Sequence, residues 1–128
     1  MTASAIFMAL IGVALTFLPD EIAGLAGLTA SKSLLFLLQI AGALYVAFAM
    51  LNWMAKGTII GGIYNKPVST ANFTHFGIGA ITLIKELFND HSLPYTVWLL
   101  AGFYLLFAIL FWLIFSRHPG DDKTAIAN

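Results

Sequence analysis

Residues able to do chemistry are few in this chain, and they fall into two groups. Asn72, His75, Thr82 and Glu86, with Gly79 among them, recur at heptad spacing inside one apolar segment and so share one stripe of a helix. Asn52, Trp53, Lys56, Tyr64, Lys66 and Arg117 lie near the ends of apolar segments, and Gly61-Gly62 stands between the two lysines. A glycine-rich loop flanked by cations can turn backbone N–H groups toward an anion. Basic pockets between membrane helices take lipid head groups. Asn52, Trp53, Lys56, Tyr64, Lys66, Asn72, His75 and Arg117 therefore form a candidate ligand-binding set for an anionic or polar head group. The plainer reading of the same residues is an interfacial loop with snorkelling lysines and an aromatic anchor.

A histidine within an apolar span faces the bundle interior or a water-filled cavity by default. His75 suits an interhelical hydrogen bond, a proton relay or a ligand contact, with Asn72 one turn earlier as its expected neighbour. A metal would need a second strong ligand at the same depth, and His91 and His118 fall in a turn and in the tail. With no cysteine in the chain, disulfides, thiol redox chemistry and Cys-ligated zinc or iron–sulfur centres are excluded. No serine stands in a nucleophile-elbow sequence, and the adjacent pairs Asp20-Glu21 and Asp121-Asp122 cannot flank a substrate. Neither a catalytic residue nor a metal ligand is assigned, and no cofactor is named.

The elements that must position these residues follow from composition. Of 128 residues, 60% are hydrophobic and 9% charged, with mean hydropathy +0.91. Soluble domains carry about 25% charged residues, so this apolar surface needs a bilayer to cover it. Net charge +0 gives no reason to expect a nucleic-acid partner. Four apolar runs, at about 2–18, 33–55, 67–88 and 94–115, read as transmembrane helices. They make residues 1–117 one four-span domain and leave 118–128 as a polar tail. The first run lacks the basic flank of a secretory signal and is read as a span. Pro19 ends it, and Ile22, Leu25 and Leu28 are expected to lie on the bilayer surface. Asn89-Asp90-His91-Ser92 reads as a tight turn with Ser92 a candidate cap.

An even number of spans puts both termini and the middle loop on one side. Lys56, Lys66, Arg117 and Lys123 fall there, against Lys32 and Lys85 opposite, so the termini and tail are expected to be cytoplasmic. Heptad spacing also suggests the seams: Gln39, Gly42, Val46, Ala49, Trp53 and Lys56 in the second span, and Tyr95, Trp98, Gly102, Leu105, Ile109, Trp112 and Ser116 in the fourth. Together with the His75 stripe, they imply an all-α, up-down four-helix transmembrane bundle with left-handed packing. Phe73, Ile81, Ile84 and Phe88 of the third span would face lipid.

The runs FLPDEIAGLAGL and QIAGALYVAFAML resemble the small four-span bacterial membrane proteins of the DoxX-like family, over about the first half of the chain. The resemblance implies a multi-pass protein of the bacterial inner (plasma) membrane and transfers no site residue. The expected function is non-enzymatic: binding of a lipid-like molecule, or of a larger membrane partner, at the cytoplasmic polar cluster. Two other readings stay open. One is an accessory subunit of a quinone-linked redox system with the quinone head group near His75. The other is a small transporter using the His75 stripe. The partners considered are the bilayer, a lipid or quinone, another membrane protein and a second copy of the chain.

Overall fold

The computed structural model describes residues 1–57 and 65–116, and all its regular elements are helices. They are α1 (Thr2–Phe17), α2 (Pro19–Leu25), α3 (Lys32–Ala55), α4 (Asn65–Asn89) and α5 (Tyr95–Ser116). Among the described residues, α3 and α5 are long and apolar enough to cross a membrane alone. A third span is available if α1 and α2, bent by 109° at their break, count as one. The polar first half of α4, with Asn65, Lys66, Ser69, Asn72 and His75, sets it apart from the other long helices.

Local chemistry explains the ends. Proline disfavours helical backbone in the residue before it, so Leu18 leaves the helix and Pro19 opens α2. Asp20 and Glu21 then sit in the first turn, where the helix dipole favours negative charge. Gly27 takes φ 73 just beyond α2. Leu28 N–H bonds to Ala23 C=O at 2.9 Å and Gly27 N–H to Gly24 C=O at 3.0 Å, which together form a Schellman stop. At the start of α3, the Ser31 hydroxyl accepts from Leu34 N–H at 3.2 Å. Ser92 is not the cap it was expected to be. Its hydroxyl and its N–H both donate to Asp90, at 2.6 and 2.8 Å, closing the turn between α4 and α5.

Helices pack as two close pairs, α1 with α3 and α4 with α5. In the first pair Met8 meets Asn52, while Thr16 lies near Gly42 and its carbonyl accepts from Gln39, so α1 and α3 run antiparallel. A Cβ on Gly12 would come within 2.9 Å of Gly42 O, and one on Gly42 within 2.8 Å of Gly12 O. Such small residues let two backbones approach in a medium where no hydrophobic gain drives helices together. The two pairs meet through aromatic rings. Phe76 of α4 stacks on Phe107 and Phe111 of α5, with centroids 4.9 and 5.9 Å apart, and Phe7 of α1 lies 5.2 Å from Phe107. Phe76, Phe111 and Met8 are the largest apolar side chains sealed in this core.

The expected seams hold in part. Gly42, Val46 and Ala49 face α1, and Gly79 faces α5, where an added Cβ would collide with the Tyr104 ring. Thr82 and Glu86 are exposed instead of facing inward, because the buried side of α4 runs through Ser69, Asn72, Phe76, Ala80 and Leu87. That run follows a straight helix's 3.6-residue period rather than the heptad's 3.5. The α5 seam is also corrected. Trp98, Leu105, Ile109 and Trp112 are exposed, nothing approaches Gly102, and the buried side is Ala101, Tyr104, Phe107, Ala108 and Phe111. A helix apolar all round carries no polar stripe to fix its phase. Of the residues expected to face lipid, Ile81 and Phe88 are exposed, Ile84 is half-buried, and Phe73 packs against the core instead.

Candidate functional site

Asn52 and Asn72 are the central polar contact. One stands a turn from the end of α3, the other two turns into α4, and both are fully buried. Asn52 Nδ2 donates to Asn72 Oδ1 at 2.8 Å, and Asn72 Nδ2 donates to Asn52 Oδ1 at 2.6 Å. Their second donor hydrogens are used as well: Asn72 Nδ2 reaches Val68 O at 2.8 Å, and Asn52 Nδ2 reaches Met8 Sδ at 3.5 Å. The four amide donors are thus consumed inside the protein, as burial of amides demands. Nearby, Ser69 Oγ donates to Asn65 Oδ1 at 2.7 Å in the first turns of α4. This polar layer joins α1, α3 and α4.

His75 lies one turn further in, surrounded by rings. Tyr45 and Phe76 meet its ring edge-on and Phe48 stacks on it, each with centroids 5.2 Å apart. Its polar neighbour is Tyr104 of α5, whose Oη is 3.4 Å from His75 Nε2, and not Asn72, which is engaged with Asn52. Among the described residues no group of three His, Asp or Glu side chains could hold a metal ion.

The remaining candidates are spread over the surface. Trp53 and Lys56 face outward from the end of α3, with Lys56 Nζ 3.1 Å from the Trp53 ring centroid. Lys66 is exposed in the first turn of α4. Tyr64 and Arg117 lie outside the described residues. The structure therefore unites Asn52 with Asn72, sets His75 just beneath them, and leaves Trp53, Lys56 and Lys66 on the exterior at the same end.

A feature absent from the sequence reading lies at the opposite end. A cavity of about 600 Å³ opens between α1, α3 and α5 beneath α2. Phe7, Leu10 and Ala14 line one side, Leu38 and Ala41 another, and Leu100 and Phe103 the third. Ile22 and Leu25, expected at the bilayer surface, form part of its wall. Thr96 Oγ1 donates to Leu25 O at 2.5 Å and so fastens the end of α2 to α5. At the deep end Tyr45, whose ring touches His75, is the cavity's second polar side chain. The sequence held one signal for this space, the Pro19 break that folds α2 back over the other helices. The apolar wall residues gave none, since each suits lipid contact equally well. The chain matches no protein-family model, no curated protein and no solved structure.

Proposed function

We propose that this chain is a multi-pass protein of the bacterial inner membrane that binds a lipid-like molecule in the cavity beneath α2. In this reading α1 with α2, α3, α4 and α5 form an up-down four-helix transmembrane bundle with left-handed packing and both termini in the cytoplasm. The long apolar helices α3 and α5, the antiparallel α1–α3 pair and the many exposed Leu, Ile and Phe side chains support it.

The cavity is the observation that carries the binding assignment. Its volume of about 600 Å³ falls within the ~300–1,000 Å³ of small-molecule sites, which are mostly apolar with a few placed polar groups. Here the polar groups are Thr96 near α2 and Tyr45 at depth. Thr96 is occupied by Leu25 O, so Tyr45 is the side chain left to orient a ligand's polar atom. A long apolar molecule carrying one hydrogen-bonding group fits this arrangement.

Native mass spectrometry of protein released gently from membranes tests the reading. Wild type should carry a copurifying amphiphile. Ala41→Phe, which places a ring in the cavity, should lose it while thermal stability holds or rises. Equal retention by the two proteins would show that the cavity is not the site.

A further inference from the structure

A second apolar depression, of about 390 Å³, runs along the outside of the α1–α3 pair at the other end of the molecule. Its floor is made of short side chains, Ala5 and Ala9 from α1 and Ala49 from α3, and its rim of Met50, Trp53 and Met54. The close crossing at Gly12 and Gly42 draws the helices together, and the alanines that follow leave a channel between the longer rim residues. A cation stands at the Trp53 end of this channel: Lys56 is exposed, and its Nζ lies over the Trp53 ring, 3.1 Å from its centroid.

The carboxylates of the described residues gather at one end, where Lys32 and Lys85 also lie. The Asn52–Asn72 bonds bring the end of α3 and the start of α4 together, so Lys56 and Lys66 share the opposite end. Among the described residues every carboxylate side chain (Asp20, Glu21, Glu86 and Asp90) belongs to the other end, with α2 and the α4–α5 turn. Among the described residues no carboxylate shares that end with Lys56. An apolar channel on the outer surface of the helix pair, with a cation over its terminal Trp53, is complementary to a phospholipid with an anionic head.

We infer that the α1–α3 channel is a binding site for one acyl chain of an anionic phospholipid, whose phosphate is held by Lys56 over Trp53. The site is separate from the cavity beneath α2, and each can fail without the other.

Trp53 reports on its own site. The chain has 3 tryptophans, so a Trp98→Phe, Trp112→Phe variant keeps Trp53 as the only one. This protein is placed in vesicles in which phosphatidylglycerol or phosphatidylcholine, brominated on the acyl chain, replaces the plain lipid at equal mole fraction. Phosphatidylglycerol should occupy the site about fivefold more strongly, the preference that one lysine near a membrane surface supports. Lys56→Ala should bring the ratio of the two lipids to about one, and Lys56→Arg should keep it. Salt at 1 M should reduce it, because screening then acts within ~3 Å. Lys66→Ala and Lys32→Ala should leave it in place. Equal quenching by both lipids in the parent protein would overturn the assignment. So would a loss with Lys66→Ala as large as with Lys56→Ala, which would mean a diffuse surface field and no site. Protection of Trp53 from both brominated lipids would put a protein helix in the channel and overturn it too.

Discussion

Replacing Asn72 by leucine would strand the Asn52 amide in a sealed interior. Leaving a buried polar group unpaired costs roughly 1–3 kcal/mol, whereas replacing both partners with apolar groups can be nearly neutral. Asn52→Leu and Asn72→Leu should therefore each lower stability by that order, and the double variant by less than their sum. Unfolding titrations in mild detergent measure this directly. Additive losses would show that the two amides do not act as a pair. The second residue-scale case is outside the helices. Bonds from the Ser92 hydroxyl and N–H hold the Asp90 carboxyl below its ordinary value of 3.8. Since the folded value lies below the unfolded one, whatever the turn contributes is complete above the ordinary carboxylate range and fades as pH falls through the lowered value. Ser92→Ala should move the Asp90 titration back up toward 3.8, as seen in its carboxyl carbon shift. An unchanged titration would mean that the Ser92 hydroxyl does not hold the Asp90 carboxylate.

Between elements, glycine separates packing from mere composition. Gly79 and Gly102 both stand in long helices and both sit at heptad positions. Only Gly79 faces a neighbour, since an added Cβ would meet Tyr104, whereas Gly102 has nothing within 4 Å. Gly79→Leu should cost ~1–3 kcal/mol or more through overpacking. Gly102→Ala should be neutral or stabilise by up to ~1 kcal/mol, the gain in helix propensity. Similar melting shifts at the two sites would put the α4–α5 contact in a different phase. The α1–α3 crossing is still less forgiving, because a side chain on Gly42 would meet backbone at Gly12 O and Thr16 N as well as the Thr16 hydroxyl. The α4–α5 contact can yield by turning one ring; the α1–α3 crossing can yield only by moving a helix.

Across the whole molecule, the basic residues predict the orientation. In the proposed four-span topology the sequence puts four Lys or Arg (Lys56, Lys66, Arg117 and Lys123) on the cytoplasmic side and two (Lys32 and Lys85) on the other. Reporter fusions after Asn128 and beside Asp90 should give opposite readouts, cytoplasmic for the first and periplasmic for the second. A periplasmic signal from the C-terminal fusion would invert the orientation. It would also place the Lys56 channel in the outer leaflet and the cavity beneath α2 toward the inner one.

What the sequence determined by itself is local. Runs of apolar residues and Pro19 locate the long helices to within about two residues, because proline and hydropathy act over a few positions. Asn72 and His75 could be singled out as polar residues within a span, because an amide or imidazole is costly to leave facing lipid, whereas Asn52 read as part of the head-group cluster. Which residues they would meet was not legible. Asn72 turned to Asn52 and His75 to Tyr104 only once α3, α4 and α5 were placed around them. The phase of α5 and the wall of the cavity were hidden for a single physical reason. In a bilayer, the lipid-facing and the core-facing sides of a helix can be equally apolar, so hydropathy does not distinguish them. Shape does: Gly79 against Tyr104, Gly12 against Gly42, and the gap left beneath α2. That fit exists only in the packed structure.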